Sequence, residues 1–309
     1  MSVRIYLLSL REISSSEQTK NFVRQASLLV DEVRREKAEK IRKPAEQAVS
    51  LGAGLLLQKM VLDYQNGAAD YVEQDCEEQG CVVQNCEEQN CGEQDCVVQD
   101  CEVLHYEARE LLELLKTEQL SPQITTGLQQ GLQNSPEKLQ NAQRIPIELQ
   151  YRFEPHGKPK IVDFPLHFSL SHSGDYVLCA VSDREVGADI QKLQSIDFPK
   201  LASRFFTEAE YQALEKCVDE AERQKLFFRL WTKKEAYGKL TGQGVTAILS
   251  RDVCQKLEVG ADEKSSESFP REKQVSVHGK QQEELCPEWL EIYPPEGYAA
   301  AVCMEGPKF

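Results

Sequence analysis

Apolar and polar positions change rhythm several times along this chain, and each change predicts an element. Residues 3–10 form a short, mostly apolar run that predicts a strand. Residues 27–43 are densely charged and predict a helix, which Pro44 ends or redirects. Residues 45–62 predict a second helix carrying Leu51, Leu55, Leu56, Leu57 and Val61, with Gly52 and Gly54 allowing close approach. Residues 103–116 predict a third helix. The Gln-rich stretch 117–143 predicts linker and turns.

From Pro146 the pattern tightens. Gly157-Lys158-Pro159-Lys160 predicts a basic turn. Phe168 to Ser173 leads through Gly174 into Tyr176 to Val181, a short apolar run that predicts a buried strand, and Val186 to Ile190 predicts the next one. Residues 198–206 predict a helix. Thr207 then caps another, with Glu210 at capping-box spacing. A long helix is predicted over 223–240, a solvated loop over 256–285, and strands at 289–293 and 298–304. Gly174 to Ala180 echoes Glu296 to Val302, each being a turn, a tyrosine and then small or apolar residues. The echo hints at two related α+β lobes.

One segment breaks every rhythm. Residues 72–101 read as six five-residue units ending at Cys76, Cys81, Cys86, Cys91, Cys96 and Cys101. Successive cysteines would rotate about 140° around a helix and would alternate faces on a strand, so neither gains an apolar stripe. A weakly ordered acidic insertion is the expected reading. A thiolate metal tract lacks compact C-x₂₋₄-C knuckles, and a short β-helix would have little core to stack.

Composition changes the picture in two places. The formal net charge of −15 argues against a nucleic-acid partner. Nine Asp or Glu of the repeat account for much of it, and the remainder is an ordinary acidic chain. Six of the eleven cysteines lie in the same segment, so reduced thiols are expected rather than a disulfide framework. No apolar run suits a membrane span and no secretion signal is evident, so a cytoplasmic location is expected. A monomer is expected as well. A length of 309 residues allows two lobes. The organisation expected is residues 1–145, including the insertion and the Gln-rich linker, followed by 146–309, which carries the chemistry.

Asp189 is the first candidate for that chemistry. It lies in an apolar strand between Val186 and Ile190, where an unpartnered carboxylate is expensive. Trp231, Glu235 and Lys239 are spaced by four and share one helix flank. That spacing equally suits a surface salt bridge. Ser169, Ser171, His172 and Ser173 form a polar cluster before a buried strand, able to donate to an anion. Lys158, Lys37 and Lys40 are further candidates for phosphate contact. No P-loop, zinc helix or dinucleotide fingerprint occurs.

Five strings in order carry a resemblance: Gly157-Lys158-Pro159, FSLSHSG over 168–174, Gly187-Ala188-Asp189-Ile190, RFFTEAEY over 204–211 and WTKKEAYGK over 231–239. The chain resembles a 4′-phosphopantetheinyl transferase of the larger, surfactin-synthetase-activating type. The resemblance implies an α+β fold of two similar lobes related by a pseudo-twofold, with coenzyme A in the cleft between them. It implies transfer of the phosphopantetheine arm to a serine of an acyl, peptidyl or aryl carrier protein, with adenosine 3′,5′-bisphosphate released. Asp189, Glu235 and Gln191 would hold Mg²⁺, and Glu235 would serve as base. Lys239 would steady the transferring phosphoryl group. His172, Lys158, Lys37 and Lys40 would bind phosphate, with Ser171 beside them. Gln191 stands where many relatives carry Glu, and Ser169 where Asn is common. The alternative is an inactive homologue that binds a carrier protein without transfer.

Overall fold

The computed structural model describes residues 3–66, 101–117, 146–195, 197–244, 287–290 and 292–306. The repeat except Cys101, the stretch 117–143 except Thr117, and the loop 256–285 lie outside the described residues. The fold is mixed α+β and divides into two compact units, Met1–Val186 and Gly187–Phe309. The division falls 41 residues after the one expected at 145/146. The reason is strand pairing: residues past 146 complete the first unit's sheet.

That sheet has four strands. Strand β1 (Val3–Ser9) pairs in parallel with β2 (Cys101–Glu107) and antiparallel with β6 (Tyr176–Ser182). Strand β5 (His167–Ser173) forms a hairpin with β6 through Gly174-Asp175. Gly174 has φ 54°, the conformation a two-residue hairpin turn asks of its first central residue. A separate small hairpin joins β3 (Tyr151–Phe153) and β4 (Pro159–Ile161).

Helix α1 (Ser16–Ala26) starts at a capping box between Ser15 and Gln18. Only Thr19, Phe22 and Ala26 of it are buried, so its apolar signal is sparse and the sequence pattern missed it. The helix expected over 27–43 is shorter, α2 (Glu32–Glu39). The Asp31 side chain accepts from Arg34 N at 3.0 Å and fixes its start. Chain direction changes again before Pro44, which opens α3 (Pro44–Gln65). Helix α3 is buried on nearly all sides because it packs against β6 and β1 as well as α1, α2 and α4. A Cβ on Gly52 would lie 2.9 Å from Leu8, and one on Gly54 2.7 Å from Val30, so both glycines serve close approach as expected. The helix expected over 103–116 begins only at α4 (Ala108–Thr117). Residues 101–107 are instead drawn into the sheet by their parallel pairing with β1.

The second unit carries a three-stranded sheet ordered β7-β9-β8: β7 (Val186–Lys192), β8 (Pro287–Leu290) and β9 (Tyr298–Glu305). Its helices are α5 (Phe198–Phe205), α6 (Glu208–Lys216) and α7 (Glu220–Thr241). The expected capping box is present, Thr207 and Glu210 bonding each other's backbone N–H. Glu210 also ion-pairs with Lys234 of α7 at 2.8 Å, both side chains being fully buried. One of the two central strands of the first sheet, β6, and the middle strand of the second, β9, each begin with a tyrosine, Tyr176 or Tyr298, just after a turn holding a positive-φ glycine. No helix among the described residues is long and apolar enough to cross a membrane.

Candidate active site

Gly187, the second residue of β7, lies directly against α7. A Cβ there would meet Ala236 O at 2.0 Å and Leu240 N at 2.6 Å, so only glycine allows the strand this close to the helix backbone. The contact sets Asp189, two residues along, against the flank bearing Glu235 and Lys239. Asp189 is only 2% exposed. Lys239 Nζ donates to Asp189 Oδ1 at 2.8 Å and to Ala188 O at 3.0 Å. Gln191 Nε2 donates to Asp189 Oδ2 at 3.0 Å.

Glu235 is half-buried on α7. Burial, followed by the charge of Asp189, raises its pKa above the usual carboxylate range, and Lys239 offsets part of the rise. Two carboxylates that repel each other beside one ammonium form a cation-binding arrangement. Among the described residues no group of three or more His, Cys, Asp or Glu gathers, so a purely protein-made cage is absent there. Two carboxylates nevertheless fit Mg²⁺, which keeps several waters and takes the rest of its ligands from substrate phosphates.

A second feature lies wholly within the first unit. A cavity of about 640 Å³ opens between α2, α3, the β3–β4 hairpin and β5, a size typical of small-molecule sites. Arg34, Lys37 and His172 bring positive or proton-donating groups to its lining, while Val49, Phe153 and Leu170 contribute apolar wall. Burial, then neighbouring Arg34, lowers the Lys37 pKa. The Arg34 guanidinium lies over the Tyr151 ring, 5.5 Å from its centroid. Asp31, fully buried, holds both ends of this arrangement. One oxygen caps α2 at Arg34 N, and the other accepts from Tyr151 Oη at 2.9 Å. Ser50 Oγ is buried at the cavity lining with no hydrogen-bond partner among the described residues. A buried hydroxyl in that state favours a polar ligand.

The sequence candidates divide accordingly. Asp189, Gln191, Glu235 and Lys239 come together; His172 and Lys37 line the cavity. Lys40 does not line it, its ammonium lying 3.9 Å from Glu36. Ser171 is buried, whereas Leu170, His172 and Gly174 reach the cavity, as the two-residue period of a strand requires. Lys158 bonds Glu185 Oε2 at 2.9 Å and Val186 O at 3.1 Å. Glu185 also takes His167 Nδ1 at 3.0 Å and Lys160. Burial alone would raise the Glu185 pKa, but hydrogen bonds from His167, Lys160 and Lys158 hold it well below the usual range. Arg34, Ser50 and Tyr151 were missed. Arg34 was within reach, since it precedes Lys37 by three residues, as Lys37 precedes Lys40.

Residues 185–303 match the sequence model of the 4′-phosphopantetheinyl transferase superfamily. The chain is 44% identical over 119 residues to 4′-phosphopantetheinyl transferase psf-1 of Bacillus pumilus, covering 38% of this chain and 50% of that protein. It is 34% identical over 176 residues to 4′-phosphopantetheinyl transferase HetI of a Nostoc species, covering 53% and 65%. It is 31% identical over 164 residues to 4′-phosphopantetheinyl transferase Sfp of Bacillus subtilis, covering 52% and 66%. The chain thus spans half to just under two thirds of these curated relatives' length. The matched family segment includes Asp189, Gln191, Glu235 and Lys239 and begins after His172.

Proposed function

We propose that this chain, whose residues 185–303 match the sequence model of the 4′-phosphopantetheinyl transferase superfamily, moves the phosphopantetheine arm of coenzyme A onto a serine hydroxyl of an apo carrier protein. The observation that carries the reading is the gathering of Asp189, Glu235 and Lys239 where Gly187 presses β7 onto α7. The named activity of the relatives agrees with it.

In this reading Asp189 and Glu235 would hold Mg²⁺, which would supply positive charge for the coenzyme A diphosphate. Gln191 keeps Asp189 oriented through its amide. Glu235 accepts the proton of the carrier serine, directly or through a water. The serine oxygen forms a bond to the phosphorus bearing the pantetheine arm. The bond from that phosphorus to the bridging oxygen breaks, and adenosine 3′,5′-bisphosphate leaves with the electron pair. Lys239 stabilises charge on the transferring group. Within the first unit, Arg34, Lys37, His172 and Ser50 offer donors suited to a phosphate group, and the apolar wall of their cavity suits a flat ring. Two α+β units, each with a tyrosine-led strand inside its sheet, agree with the expected pair of similar lobes.

The test is incubation with coenzyme A, Mg²⁺ and a panel of apo acyl, peptidyl and aryl carriers, followed by intact-mass measurement. At least one carrier should gain a single phosphopantetheine arm. A panel that binds the protein but gains no mass supports the inactive-homologue reading, in which Gln191 marks a decayed metal site.

A further inference from the structure

The β3–β4 hairpin raises a physical problem. Its strands are three residues each, it forms a sheet of its own, and an isolated hairpin of this size has little stability in water. Yet Tyr151, Phe153, Gly157 and Pro159 of this hairpin line the cavity, so something must hold it in place. At the Tyr151 end the answer is visible: Tyr151 and Ile161 pack on the core, and Tyr151 Oη bonds buried Asp31. At the other end Phe153 is 61% exposed and offers little packing.

What remains there is one carboxylate. Glu185 stands in the connection between β6 and β7, outside the hairpin. Its Oε2 takes the Lys158 ammonium at the hairpin turn, and its Oε1 takes Lys160 of β4 together with His167 of β5. Lys158 donates further to Val186 O, and Lys160 to Glu154 Oε1 at 2.8 Å across the hairpin. The Lys158 side chain is only 9% exposed, and its ammonium faces the strand connection, not the cavity lining. A carboxylate shared by two ammonium groups and an imidazole at the foot of a mobile-prone wall is a clamp.

We infer that Glu185 is a positioning residue. It clamps Lys158 and Lys160 and thereby holds the β3–β4 hairpin as a wall of the nucleotide cavity, with Lys158 serving as the clamp's arm instead of contacting phosphate. The inference rests on the functional reading only in taking coenzyme A as the cavity's ligand. Nothing in the sequence pattern singles out Glu185, because its partners come from the β3–β4 hairpin and from β5, well before it in the chain.

Coenzyme A affinity is measured by calorimetry without Mg²⁺ for the wild type, Lys158→Met, Glu185→Gln and the double variant, alongside backbone amide exchange over 151–161 in the free proteins. Each single variant should bind on the order of tenfold more weakly. The double variant should bind no more weakly than the poorer single one, since both break one clamp. Exchange over the hairpin should accelerate in all three. If Glu185→Gln binds as tightly as the wild type while Lys158→Met loses affinity, Lys158 is a direct ligand and the inference is overturned. Unchanged hairpin exchange in Glu185→Gln overturns it as well. A wild type that binds no coenzyme A even after Mg²⁺ is added defeats the functional reading, and the exchange data alone then decide the clamp. Should Glu185→Gln fail to fold, Lys160→Met removes one clamp partner and must still speed hairpin exchange.

Discussion

Asp189 shows what a single side chain requires here. Taking a carboxylate out of water is costly unless charge and hydrogen bonds compensate, and Lys239 with Gln191 supplies both. Glu235 is the unbalanced member, since burial and Asp189 both disfavour its charge. Glu235→Gln removes that repulsion. The variant should melt no lower than the wild type by calorimetry, yet lose transfer by on the order of 10²-fold or more. A stable variant that retains full transfer would remove Glu235 from the reaction. Glu185 has the opposite shift. Its folded-state pKa is depressed, so its contribution is present above the unfolded value of about 4.3 and is lost as pH falls through the lower folded value. Urea midpoints of the wild type should therefore fall below about pH 4.3 more steeply than those of Glu185→Gln. Equal slopes would show that the carboxylate gains nothing from its partners. Cys179 is buried, and burial pushes its thiol up to about 12, so it should resist alkylation at neutral pH until the protein unfolds. Rapid labelling of Cys179 in the native protein would contradict its placement in the sheet.

At the scale of elements, the closeness of β7 and α7 matters most. Gly187→Ala forces a methyl into the Ala236 carbonyl, so strand and helix must part. Overpacking of this kind costs about 1–3 kcal/mol, which thermal unfolding would detect, and transfer should fall with it because Asp189 moves with the strand. The Glu210–Lys234 pair acts on the far side of α7. Glu210→Gln leaves Lys234 charged and buried without its counterion, a loss of roughly 3–5 kcal/mol. A change under 1 kcal/mol in urea unfolding would contradict that role. The Thr207–Glu210 capping box was legible from spacing alone, because it is local. The Glu210–Lys234 pair was not. Two lysines stand together at 233 and 234, and only packing decides which one turns inward. The strand at 101–107 was misread for a related reason. Val103, Leu104 and Tyr106 fit helix and strand periods alike, and the parallel partner β1 lies about a hundred residues away. The carboxylate site was legible because its residues recur as recognisable strings. The cavity was only half legible, since Arg34, Ser50 and Tyr151 meet through tertiary folding.

For the molecule as a whole, composition marks a boundary at 146, but contacts mark one at 186/187. The two differ because β1 needs a partner on both sides. It finds β2 on one and β6 on the other, so the β5–β6 hairpin belongs with the N-terminal unit. Polar linkers are visible in a sequence, whereas strand exchange across them is not. Each unit then carries one part of the proposed chemistry: donors for an anionic nucleotide in the first, the carboxylate pair in the second. The most direct test follows both products of one reaction. An apo carrier that responds in the panel is mixed with coenzyme A and Mg²⁺, and carrier mass and free adenosine 3′,5′-bisphosphate are measured together for the wild type and Glu235→Gln. The wild type should yield the modified carrier and the nucleotide in equal amounts, and Glu235→Gln almost none of either. Equal yields from the two proteins, or nucleotide release without carrier modification, would contradict the account.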